Sequence, residues 1–143
     1  MTRFDGIELG GTKSIAILAE GGSIIEQRTF PTSAPAETLA QLNTVLREWD
    51  EAGKLAALGI ASFGPVRLDP ASADYARLLD TPKPGWSDVA VGQRLTAGLD
   101  CPWTIDTDVN AAALAEYRHG SAVNCDSLCY VTIGTGVGGG LVI

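Results

Sequence analysis

Phe4-Asp5-Gly6-Ile7-Glu8-Leu9-Gly10-Gly11-Thr12-Lys13-Ser14-Ile15-Ala16-Ile17-Leu18-Ala19 decides how this chain is read. Two β-rich runs, FDGIEL and SIAILAE, flank a Gly-Gly-Thr-Lys turn. After Gly21-Gly22 a third run, SIIEQRTF, completes a β-meander whose runs are closed by glycines suited to tight turns. The plan of residues 4–19 returns at 128–143, where VTIGTGVGGGLVI echoes IELGGTKSIAI. Such self-similarity is expected of a second copy of the first domain that has only begun. On this reading Leu141, Val142 and Ile143 form a strand with no following helix to cover it, and the strand from Gly140 to Ile143 lacks neighbours.

Outward from the meander, Pro35 suits the first turn of a helix. Leu39, Leu42, Val45, Leu46 and Trp49 then recur at helical spacing up to Gly53. LAALGIAS reads as a buried strand ending at Phe63-Gly64-Pro65, followed by a loop rich in Pro and Asp that runs to about Trp86. Loops of that length are usually functional or mobile. Val89 to Leu99 is expected to form a short helix, CPWTIDTD a strand, and VNAAALAEYRHG an alanine-rich helix closed by Gly120. The order is βββαβαβα, followed by a hairpin.

With 143 residues, 45% of them apolar and 19% charged, the chain can bury a globular core. A formal charge of −7 opposes binding to nucleic acid or to an anionic membrane, since both need a concentrated Lys/Arg field. No apolar run approaches the roughly 20 residues a bilayer requires, and no leader is apparent, so a cytoplasmic protein is expected. Cys101, Cys125 and Cys129 form no CxxC pair and are read as reduced and structural, Cys129 being placed in a strand that buries it.

Two glycine-rich turns, Gly10 to Lys13 and Gly134 to Gly140, each follow an apolar strand. Lacking Cβ atoms, such turns let backbone N–H groups and a Thr hydroxyl approach an oxyanion, although a purely structural glycine hairpin has the same appearance. Residues 134–139 match GxGxxG, but GLVI continues as a strand where a dinucleotide fold needs a helix. Asp106-Thr107-Asp108-Val109-Asn110 stands where a strand gives way to a helix. Asp108 there either accepts a proton from a substrate hydroxyl or caps the helix.

GGTK near the start, SFGP at 62–65, TPKPGW at 81–86, DTDVNAAALAE at 106–116 and GTGVGGG at 134–140 together resemble, in order and spacing, the fructokinases of the ROK family of sugar kinases. That resemblance implies an α/β, ribonuclease-H-like (actin/hexokinase-type) lobe with a mixed β-sheet flanked by helices. Residues 1–122 would form an N-terminal sugar-binding lobe, and 123–143 the opening hairpin of a C-terminal lobe.

The implied activity is ATP- and Mg²⁺-dependent phosphorylation of a hexose, fructose above all, by a homodimer. A glucokinase or mannokinase of the same family, or a non-catalytic sugar-binding module, are the alternatives. Carried over residue by residue, Asp108 matches the base, and Gly64, Pro65, Lys83, Trp86, Thr107 and Asn110 match the sugar site. Gly11, Thr12, Lys13, Thr135, Gly136 and Gly138 match the ATP site, and Glu8 stands near the magnesium. Glu8 occupies a position where many relatives carry Asp, Ala115 replaces a common glycine, and Thr107 replaces the Asn of the glucokinases. The family's zinc motif and adenine pocket are expected in sequence beyond residue 143, so the chain alone is expected to be inactive.

Overall fold

A computed structural model describes residues 1–134 and 136–143. Strands β1 (Arg3–Leu9), β2 (Lys13–Glu20) and β3 (Ser23–Pro31) form the expected antiparallel meander. β4 (Ala57–Ser62) runs parallel to β1, and β5 (Trp103–Thr107) parallel to β4, giving a mixed sheet of order β3-β2-β1-β4-β5.

The period-two side-chain alternation of a strand gives this sheet two different faces. Asp5, Ile7 and Leu9 of β1, Ala16 and Leu18 of β2, Leu58 and Ile60 of β4 and Ile105 of β5 are buried on one face. Helix α1 (Pro35–Ala52) covers it with Leu39, Leu42, Val45, Leu46 and Trp49, the residues that recur at helical spacing in the sequence. Arg3 closes the far end of α1 by donating from Nη1 to the carbonyls of Trp49 (3.0 Å), which also accepts the capping Gly53 N–H, and of Gly53 (2.6 Å).

The 63–90 segment is irregular but packed. Val66 and Leu78 form a β-bridge, and Val66, Ala76, Leu78, Trp86 and Val89 are buried in the main core. The helix expected over Val89 to Leu99 is only α2 (Val91–Leu95). It ends where Thr96 Oγ1 donates to the Gly92 carbonyl (2.9 Å) and Gly98 turns to φ 79°.

Helix α3 (Asp108–His119) lies against the second face of the sheet. β6 (Leu128–Ile133) and β7 (Val137–Val142) form a separate antiparallel hairpin packed on α3. This corrects the expectation for the last strand: it begins at Val137, pairs along its length with β6, and is covered on its glycine side. A Cβ at Gly138 would stand 2.9 Å from Val109 Cγ1, and one at Gly140 would strike the Val109 carbonyl. Close approach of strand to helix therefore explains both glycines. The other side of the hairpin leaves Val131, Ile133, Val137 and Leu141 exposed. Cys129 is also exposed, not buried as expected, because its side chain shares neither the core nor the α3 contact. No helix among the described residues is long and apolar enough to cross a membrane.

Candidate active site

Leu9, Ser62 and Thr107 are register partners across β1, β4 and β5, so the carboxyl ends of the three parallel strands finish level. That rim, where chain turns leave a parallel sheet, is the usual place for a ligand in an open α/β fold. The Gly10 to Lys13 turn leaves β1 there, Phe63-Gly64-Pro65 leaves β4, and α3 begins directly after β5.

Thr107 is the N-cap of α3, its hydroxyl accepting from Asn110 N at 3.3 Å. Asp108 is therefore not the cap: it occupies the first helical position, and among the described residues only its own neighbour, Val109 N (2.9 Å), donates to Oδ1. Asp106 carries the positioning load. Its Oδ1 accepts from Thr107 N (2.7 Å) and from Asn110 Nδ2 (2.8 Å), fixing the Asn110 amide at the start of α3. No spacing rule in the sequence signals this pair, because Asp106 lies in β5 and Asn110 in α3. All four residues from Asp106 to Val109 are half-buried, as is Asn110.

Gly64 sits against this group, a Cβ built on it lying 3.8 Å from Thr107 Cγ2, and its carbonyl accepts from Thr81 Oγ1 at 3.3 Å. Pro65 beside it is exposed. Trp86, expected among the substrate contacts, is instead fully buried: its Nε1 donates to the Ser33 carbonyl (3.1 Å) and its ring packs edge-on against Phe63 at 5.3 Å. It anchors the loop that carries Lys83 and cannot touch a ligand itself. Lys83 Nζ donates to the Gly11 carbonyl at 2.6 Å, joining the loop to the first glycine turn, a contact that no sequence spacing reveals.

In that turn Gly10 N donates to the Lys13 carbonyl (3.1 Å), and a Cβ at Gly10 would lie 2.6 Å from the same oxygen, so the tight turn requires glycine. Gly11, Thr12 and Lys13 are exposed, and the space beside Gly11 is open. Gly136 is likewise exposed with open space beside it, whereas Gly138 lies inside β7 facing Val109; Thr135 lies outside the described residues.

Glu8, Ala61 and Asp106 share one row and one face of the sheet. Glu8, Asp106 and Asp108 line one end of a cavity of about 720 Å³ between the sheet and α3, with Arg118 and His119 at the end of the same helix. Among the described residues no three His, Cys, Asp or Glu side chains converge as a complete ligand set for a metal. The rim thus carries one carboxylate at the start of α3, an amide held by Asp106, and the loop residues Gly64 and Lys83 that Thr81 and Gly11 tie down.

The model of the ROK family matches residues 4–143. The chain is 42% identical over 139 residues to a putative fructokinase of Bacillus subtilis, and 39% identical over 140 to a fructokinase of Zymomonas mobilis. It covers 96% of its own length in each case, but 45% and 46% of theirs. It is 29% identical to a glucokinase of Streptomyces coelicolor. A ROK family glucokinase from Streptomyces griseus, solved with glucose and AMPPNP, superimposes with a TM-score of 0.81 at 26% identity, covering 99% of this chain and 44% of that one. A ROK hexokinase from Thermus thermophilus gives 0.80 at 27%, over 99% and 47%. The chain spans under half the length of these relatives.

Proposed function

The chain belongs to the ROK family, with the ribonuclease-H-like fold of its kinases, and from that premise we propose that it forms the sugar-binding lobe of an ATP-dependent hexose kinase acting on fructose. The observation that carries this reading is the β5-to-α3 junction at the sheet rim, where Asp108 opens the helix and Asp106 holds the Asn110 amide in place. Fructose is preferred as acceptor because the fructokinase relatives reach 42% identity where the glucokinase stands at 29%.

In the reaction, the Asp108 carboxylate takes the proton of the acceptor hydroxyl as that oxygen bonds to the γ-phosphorus of ATP. The bond from the γ-phosphorus to the bridging oxygen breaks, and ADP leaves with the electron pair. Such transfer depends mainly on positioning and on charge stabilisation. Asn110 and Thr107, with Gly64 and Pro65, orient the sugar, while Gly11, Thr12 and Lys13 receive the phosphate end of the nucleotide. Thr135 and Gly136 belong to the same nucleotide site, and residues 123–143 to a second lobe. Magnesium requires hard oxygen donors and usually takes one or two carboxylates beside the substrate phosphates; Glu8 and Asp106, on one face of the sheet, fit that need. When bound it neutralises phosphate charge. A cytoplasmic homodimer completes this reading.

The test is Asp108→Asn in a protein carrying this segment together with the remaining length of its relatives. A loss of at least ~10²-fold in kcat at unchanged fructose affinity is expected for removal of a general base. Near-normal turnover would reduce Asp108 to a surface residue.

A further inference from the structure

We propose that Lys83 is the cation that grips the phosphoryl group in flight, leaving the Gly11 carbonyl to do so; this deepens the kinase reading above and rests on it. The contact between Lys83 Nζ and the Gly11 carbonyl, 2.6 Å long, spans 72 residues of sequence. Among the described residues Lys83 pairs with no carboxylate, nor do Arg3, Lys13, Arg94 and Arg118, whereas Arg28, Arg47, Lys54, Arg67 and Arg77 do. An ammonium has three donors, and a neutral carbonyl engages one of them. The bond to the carbonyl is charged on the donor side only; with phosphate both partners are ionised and Coulomb attraction is added, so an arriving phosphate outcompetes the carbonyl.

The backbone beneath Lys83 is fixed although its head is not. Pro82 and Pro84 flank it, and Trp86 N donates to the Lys83 carbonyl at 3.2 Å. The buried Trp86 ring and its bond to Ser33 pin one side, and the Thr81 hydroxyl on the Gly64 carbonyl pins the other. The charge is thus delivered from the sugar side of the rim to the nucleotide side. β1 and β5 are two strands apart, about 10 Å at the usual strand spacing, so the Gly10 to Lys13 turn and the start of α3 leave one rim on either side of β4. Lys13, in the turn itself, is the other lysine beside Gly11.

Lys83→Met and Lys83→Arg are to be compared with wild type and with Asp108→Asn, in the same protein extended to its relatives' length, by kcat and by KM for fructose and for ATP. Removal of one such charge is expected to lower kcat by ~10²-fold or more, with fructose KM within about threefold, and arginine is expected to restore at least tenfold of the loss. A raised fructose KM at unchanged kcat would overturn the proposal in favour of a sugar contact. A Lys83→Met enzyme within about threefold of wild type in all three constants would overturn it outright. If Asp108→Asn abolishes turnover while Lys83→Met does not, only the lysine assignment fails; if wild type phosphorylates no hexose, the kinase reading fails, and the lysine assignment with it. Thermal melts of the variants separate loss of turnover from loss of fold.

Discussion

At the residue scale, buried polar groups separate what holds the lobe from what acts at its rim. Asp5 is buried on β1 with neither carboxylate oxygen hydrogen-bonded, and burial pushes its pKa from 3.8 up to about 7. Arg3 opposes that shift and Asp50 adds to it. The folded state therefore holds a proton that the unfolded chain has released, and stability is expected to fall as pH rises from about 4 to about 7, then level off. Asp50 contributes in a separate, more acidic window, because the Leu55 N–H and then Lys54 hold its carboxyl below the usual range. Burial raises the Cys101 thiol, which titrates above both. Urea melts at pH 5 and pH 8 check this: wild type should be the less stable at pH 8, and Asp5→Asn should lose most of that difference. Equal slopes in the two proteins would contradict it.

Trp86 makes a second test at this scale. Trp86→Ala should cost about 3–5 kcal/mol of stability, as emptying a large core site does, and Trp86→Phe far less, since only the indole bond to Ser33 and part of the volume go. The two melting temperatures decide between core and contact. Sequence alone could not make that distinction, because a tryptophan in a loop of prolines and glycines reads equally well as an exposed sugar platform.

At the element scale, the glycines of the second turn divide into two kinds. Gly140 lies on α3, so Gly140→Val should pry the hairpin from the helix, and hydrogen exchange across Leu128–Ile133 and Val137–Val142 should accelerate. Gly136 has open space beside it, so Gly136→Val should leave that exchange unchanged and, on the proposed function, raise the ATP KM while sparing fructose. Unaltered exchange in Gly140→Val would contradict the packing role. The sequence showed both glycines in one motif, but which way a strand glycine faces depends on register with β6, and register is a tertiary fact.

At the scale of the whole molecule, the meander, α1 and the β5-to-α3 switch were legible because each obeys a local rule: alternation, helical recurrence from Leu39 to Trp49, and a strand giving way to an alanine-rich helix, which begins at Asp108, one residue before the Val109 expected. The 63–90 segment was not, because Val66, Leu78 and Val89 are buried through long-range contacts that carry no period. Of the site, the row of motifs was visible. The convergence of Gly64, Thr107 and the Gly10 to Lys13 turn followed only from the parallel register of β1, β4 and β5, and the Lys83 bridge from folding of the loop.

The central claim is that the rim around Asp108 binds hexose, and the most direct measurement is a titration of the ¹⁵N-labelled 143-residue chain with fructose, followed by amide chemical shifts. Shifts confined to Gly64, Thr107, Asp108, Asn110 and their neighbours, and weaker for glucose, are the expected result. Shifts centred on Ile15, Ile17 and Leu114 of the apolar stretch between sheet and helix, or none at saturating fructose, would contradict the account.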